Sequence, residues 1–272
     1  MPQKILVVNM NYLGDALMTT PALAALRRAC PDAQIDTVAG AGGAVEVLRG
    51  NPDINAVIPR TGRKSGERCR QLYQMLRSER YTDVVILPPL PVYALMAWLA
   101  QTPNRVGRAR YGMDFFLTRR QPVTATHMAD MMLQTMPVAG ETALPRRLSV
   151  ALTAGERDAA RSLMAEVGLD TDGPIMAVNA GTSATRAQKR WPAEHFAAAL
   201  DALADVPSVL IGAGAEEVAI AERILALSGR ARPVNLVGRT GIKELAALLE
   251  RCAVLLTADS GPMHLATAVG TP

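Results

Sequence analysis

Residues 253–269 read AVLLTADSGPMHLATAV, and this stretch decides the fold. The apolar run 253–257 fits a parallel strand buried on both faces. A helical pattern follows at once: Asp259 or Ser260 suits an N-cap, Pro262 suits a first turn, and apolar residues continue through Val269. A strand feeding directly into a helix is half of a βαβ unit, so the sheet should be parallel. Backbone N–H groups and the positive end of the helix dipole at Gly261 would then favour an anion, at the carboxyl end of a strand where α/β proteins take their ligands. A well-capped helix without a ligand is the competing reading.

The same rhythm extends backwards from that stretch. Strands are expected at 175–178, 208–211 and 234–236, with helices at 192–204, 216–227 and 242–251 between them. A charged helix from Thr153 should end at Gly168, a C-cap candidate. A first series occupies the amino-terminal half. Its strands are read at 4–10 (KILVVNM), 34–38, 56–58 and 83–87, its helices through Leu23 and Leu26, Val45 and Leu48, and at 71–77 and 92–99. Residues 104–150 break the pattern and read as loop leading to a boundary. The expected architecture is therefore α/β, with two doubly wound Rossmann-like domains, 1–150 and 151–272, facing a cleft. The chain stops at Gly270-Thr271-Pro272, where a further strand would be fed, so truncation and an incomplete second domain are expected.

Bulk composition narrows the class. The 272 residues are 49% hydrophobic and 20% charged, enough for one large core or two modest ones. Net charge is +4, unevenly spread: residues 1–150 hold 18 Lys+Arg against 11 Asp+Glu, whereas residues 151–272 hold 11 against 14. A basic first half implies an anionic partner or surface. Nucleic acid is one candidate, though no recognition motif for it accompanies the charge and none is expected to bind; phosphorylated glycolipid is the other. Cys30, Cys69 and Cys252 form no C-x-x-C pair, which argues against a disulfide framework and a zinc site and for a reducing compartment. No signal peptide is read at the N-terminus, and the run 84–100 is broken by Pro88, Pro89 and Pro91, so no membrane span is expected. His127 and His195 stand alone, without a metal-ligand cluster.

Three further motifs carry chemistry. Gly212-Ala213-Gly214 sits between a strand and a helix as a dinucleotide fingerprint would, but Glu217 occupies the third glycine position. Gly40-Ala41-Gly42 fails likewise at Val45, and both read as turns. Gly181-Thr182-Ser183 followed by Gln188-Lys189-Arg190-Trp191-Pro192 offers hydroxyls and a lysine to phosphate oxygens; a polar surface loop over Trp191 is the alternative. Gly14-Asp15, just past the first strand, places a carboxylate able to accept a proton from an attacking hydroxyl. An aspartate favoured by a helix dipole explains it as well.

Together, Asn11-Tyr12-Leu13-Gly14-Asp15 with Thr19-Thr20-Pro21-Ala22-Leu23, Lys189-Arg190-Trp191-Pro192, and Asp259-Ser260-Gly261-Pro262-Met263-His264-Leu265-Ala266 resemble the ADP-heptose:lipopolysaccharide heptosyltransferases, glycosyltransferase family 9. The resemblance runs from residue 4 to residue 272. It implies a GT-B fold and an inverting, metal-independent transfer of heptose from ADP-heptose to the lipopolysaccharide inner core, with no cofactor. It implies Asp15 as general base and Lys189 as stabiliser of the leaving diphosphate. Thr182, Ser183, Lys189, Glu216 (or its neighbour Glu217), Asp259, Ser260, Gly261 and His264 would bind the donor. Gly14, Arg60, Arg63 and Lys64 would meet the anionic acceptor. A cytoplasmic location, with peripheral contact at the inner membrane, goes with that role. Rival expectations are a related transferase using another nucleotide-sugar or acceptor, a non-catalytic ADP-binding remnant, and a dinucleotide oxidoreductase.

Overall fold

The structure, a computed structural model, describes residues 3–10, 12–62, 64–108, 115–138, 146–169, 173–181 and 190–272. The chain divides into two compact units, Met1–Ala151 and Leu152–Pro272.

The first unit runs β1 (Lys4–Val8), α1 (Leu13–Met18), α2 (Thr20–Ala29), β2 (Gln34–Gly40), α3 (Gly43–Leu48), β3 (Ala56–Arg60), α4 (Ser65–Glu79), β4 (Asp83–Ile86), α5 (Pro91–Leu99), β5 (Asn104–Arg108), β6 (Arg119–Gln121) and α6 (Met128–Thr135). Its sheet is wholly parallel, in the order β3-β2-β1-β4-β5-β6. Successive side chains of a strand point to opposite faces, so a strand covered on both sides must be apolar throughout. In β1, Leu6 and Val8 pack with Leu72 and Leu76 of α4 and Tyr93, Ala94 and Ala97 of α5. The alternate residues Ile5 and Val7 are equally buried and face the other way, on the side where α1 packs on α3 and α2 on α6.

Several stretches differ from the sequence reading. Helix begins at Leu13, in the polar segment that follows β1. The α4 helix starts at Ser65 rather than near residue 71 because local polar bonds extend it. The Lys64 amide donates to the Glu67 carboxylate at 3.4 Å, and the Gln71 side chain ties back to the Thr61 amide at 2.8 Å and the Pro59 carbonyl at 2.9 Å. Residues 104–150 hold β5, β6 and α6 instead of loop alone. Their strands, NRVGR and RRQ, lack an apolar pattern; Arg105 instead donates to the carbonyls of Phe116 and Thr102, both at 2.6 Å.

The second unit runs α7 (Ala154–Glu166), β7 (Met176–Asn179), α8 (Ala193–Ala202), β8 (Ser208–Leu210), α9 (Ala215–Leu227), β9 (Val234–Asn235), α10 (Ile242–Arg251), β10 (Val254–Thr257) and α11 (Gly261–Val269). Thr153 and Glu156 form a reciprocal capping box at the start of α7. Gly168 follows the helix with a positive φ of 73°, a conformation open to glycine at low cost. This sheet is also parallel, in the order β9-β8-β7-β10. Val178 and Leu210 pack on Phe196, Leu200, Ala221 and Ile224 of α8 and α9, while α10 packs on α7 and α11. Among the described residues no helix is long and apolar enough to cross a membrane.

Each unit thus repeats one strand order, β3-β2-β1-β4 and β9-β8-β7-β10. In such a sheet the chain leaves the first strand and the fourth in opposite directions, which opens a crevice at their carboxyl ends. The crevices lie beyond β1 and β4 in the first unit and beyond β7 and β10 in the second.

Candidate functional site

At the first crevice, β1 runs straight into Asn9, which is fully buried. Its Nδ2 donates to Thr19 Oγ1 at 2.9 Å, and its Oδ1 accepts the Met10 amide at 2.7 Å. Thr19 in turn donates to the Ala16 carbonyl at 2.6 Å. The end of β1 is therefore fastened to α1, whose first turn carries Gly14 and Asp15, both partly exposed. A carboxylate there benefits from the helix dipole and stays within reach of solvent.

Arg60, expected to meet an anionic acceptor, ends β3 and is only 7% exposed. Its guanidinium donates to the Asn9 carbonyl at 2.7 Å and lies 5.2 Å from the centre of the Tyr93 ring. Burial holds its pKa below the ordinary arginine value. The side chain ties the end of β1 to α5. Lys64 is exposed at the start of α4. Arg63 lies outside the described residues, as do Thr182, Ser183 and Lys189.

The second crevice is built around Asn179, the last residue of β7 and 1% exposed. Its Nδ2 donates to the Ile211 carbonyl at 3.2 Å. Its Oδ1 accepts from Ser260 Oγ at 3.0 Å and from Thr257 Oγ1 at 3.3 Å, and the two hydroxyls lie 3.1 Å apart. One amide thus joins the ends of β7, β8 and β10 to the start of α11. Asp259 is exposed, whereas Ser260, Gly261 and His264 are partly exposed around the first turn of that helix. Ser260 is the N-cap residue but accepts no hydrogen bond from the helix backbone.

The structure separates the two candidates for the acidic donor contact. Glu216 is exposed and forms an ion pair with Arg190, whose hydrogen bond holds the Glu216 carboxyl below its ordinary range. Glu217 turns inward. Its carboxylate accepts the Ala213 amide at 2.8 Å, and burial raises its pKa. It fills the space beside two glycines: a Cβ on Gly181 or Gly212 would fall 2.0 or 2.2 Å from its oxygens. Gly212 and Gly214 both have positive φ, so this turn needs glycine for its backbone. Trp191 stacks on His195 at 5.3 Å and meets Phe196 edge-on at 5.0 Å, fixing the entry to α8.

The arrangement of the second unit suits an anionic group. The start of α11 offers backbone donors beside hydroxyls and a glycine. Among the described residues no group of three or more His, Cys, Asp or Glu is placed to hold a metal ion. Sequence reasoning reached Ser260 and Gly261 but missed Asn9, Asn179 and Thr257, each a polar residue closing an apolar strand.

Comparison with known proteins gives a consistent picture. A family model described as glycosyltransferase family 9 (heptosyltransferase) matches residues 69–272. The lipopolysaccharide heptosyltransferase 2 of Salmonella typhimurium is 28% identical, over 99% of this chain and 81% of that protein. Among solved structures, a family 9 glycosyl transferase from Veillonella parvula aligns with a TM-score of 0.86 at 27% identity, covering 99% of this chain and 79% of that one. The E. coli ADP-heptose lipopolysaccharide heptosyltransferase II aligns with a TM-score of 0.79 at 26% identity, covering 99% and 83%.

Proposed function

We propose that this chain, which belongs to glycosyltransferase family 9 and has its GT-B fold, transfers heptose from ADP-heptose to the lipopolysaccharide inner core, with inversion and without a metal. The observation that carries the reading is the second-unit crevice, where Ser260 and Gly261 open α11 against the buried Asn179. An open helix start at the end of a parallel strand is a place for a diphosphate. The names of the relatives supply the sugar and the acceptor.

In this mechanism the acceptor hydroxyl attacks the anomeric carbon as Asp15 takes its proton. The bond to ADP breaks on the opposite side, which inverts the centre. Negative charge gathers on the departing diphosphate, where the Gly261 amide and Lys189 stabilise it. Losing one such donor should slow transfer by roughly 10²–10³-fold. The basic first half, with 18 Lys+Arg against 11 Asp+Glu in residues 1–150, suits an anionic glycolipid held at the cytoplasmic face of the inner membrane.

The test is transfer from ADP-heptose to a heptose-deficient lipopolysaccharide core in the presence of EDTA, comparing the parent with Asp15→Ala. Transfer by the parent alone is the expected result. Activity that needs added divalent metal would refute the metal-free step. ADP binding without transfer would mark the chain as a non-catalytic binder, and no ADP binding would remove the donor site.

A further inference from the structure

We infer that Asn179 is a positioning residue for the donor: by holding the Ser260 hydroxyl it keeps the start of α11 open for the diphosphate. The inference rests on the donor site proposed above and adds to it a residue that never touches the ligand.

A serine at an N-cap ordinarily turns its oxygen onto the amide two or three residues ahead. Ser260 has the extended backbone such a cap requires, with φ −146° and ψ 172°, yet makes no cap bond. Its side chain is turned elsewhere, with its O–H donated to Asn179 Oδ1 at 3.0 Å and its oxygen 3.1 Å from Thr257 Oγ1, so the lone pairs are not aimed at the helix amides. A carbonyl oxygen has no hydrogen to give, so at Asn179 the serine must be the donor. Asn179 is itself fixed, buried and tied through Nδ2 to the Ile211 carbonyl at 3.2 Å.

The alternative rotamer would matter because few amides are on offer. Pro262, second in α11, has no N–H, which leaves Gly261 and Met263 in the first turn. A serine released from Asn179 can cap Met263, and an incoming diphosphate must then displace it. Competition from a cap of ordinary strength weakens ADP binding by about fivefold to tenfold.

The experiment is a pair of substitutions read by calorimetric titration with ADP. Asn179→Ala should weaken ADP by that factor, and adding Ser260→Ala to it should recover most of the loss, since the hydroxyl turned to Asn179 is, once released, a competitor for the amides and not the donor contact the sequence suggests. Asn179→Leu, which keeps the side-chain volume, repeats the pair if the alanine protein does not fold. A purely structural asparagine predicts the reverse, a double variant no tighter than the single. That result, or Asn179 single variants binding like the parent, overturns the inference while leaving the donor site intact. A parent that does not bind ADP overturns both.

Discussion

Replacing Arg60 with alanine separates two roles for a residue that sequence places among acceptor contacts. In the structure its guanidinium serves the fold, bridging the Asn9 carbonyl at 2.7 Å and the Tyr93 ring at 5.2 Å. A charged hydrogen bond of this kind contributes about 1.5–3 kcal/mol, and a desolvated cation–π contact about 2 kcal/mol. Relief of the buried charge offsets part of that sum, leaving a net loss of about 3 kcal/mol. For a unit of this size such a loss lowers the melting temperature by about 6–12 °C. The two tryptophans allow a clean assay, since Trp98 lies in the first unit and Trp191 in the second. In a Trp191→Phe background, urea unfolding followed by fluorescence reports the first unit alone. Arg60→Lys should recover about half the loss, because an ammonium can reach the carbonyl but lacks a plane to lay on Tyr93. An unfolding free energy within about 1 kcal/mol of the parent, together with a raised acceptor KM, would refute the structural role and restore the acceptor contact.

Three other substitutions test the second unit. Phe196 is 1% exposed in its core, so Phe196→Ala should cost about 3–5 kcal/mol, measured by urea unfolding followed by circular dichroism; a loss under about 1 kcal/mol would mean the α8 side packs loosely. Gly181→Ala should push the Glu217 carboxylate off its position and destabilise the unit by about 1–3 kcal/mol, with Glu217→Ala recovering part of it; strictly additive effects would contradict the contact. Asp201 accepts the amides of Ala231, Gly229 and Arg230, which hold its carboxyl below the ordinary aspartate range. A depressed folded pKa stabilises above about pH 4 and ceases to do so as pH falls through the folded value. Asp201→Asn should therefore lower the urea midpoint at pH 7, the deficit shrinking as pH falls through the folded value, and an equal deficit at neutral and acid pH would exclude the linkage.

The parallel sheets were legible because runs such as KILVV and VLLT are apolar on both faces, which few other elements require. Strands β5 and β6 were not, since arginines that bond to neighbouring carbonyls carry no hydrophobic signal. Ser260 and Gly261 stood out through the run of cap, glycine and proline chemistry. Arg60 reads as an acceptor contact when the strand is ended at residue 58; with β3 continuing to Arg60, the side chain turns inward. Asn9 and Asn179 looked like the first loop residues after a strand. The usable signal was their repetition: Val8-Asn9 and Val178-Asn179 close the first strand of each sheet, and both amides are buried. A buried amide must find partners, and at the end of a first strand those partners belong to the crevice.

The repeated strand order also bears on how the molecule acquires its sites. Register pairs Ile5 with Asp83 in the first sheet and Met176 with Val254 in the second, and both pairs are separated by 78 residues along the chain. Among the described residues every other strand pairing joins segments much nearer in sequence. Loop-closure entropy rises with separation, so β1–β4 and β7–β10 carry the largest closure cost among the described strands of their units. Each crevice is bounded by that pair. It therefore depends on the pairing that costs its unit the most chain entropy to close.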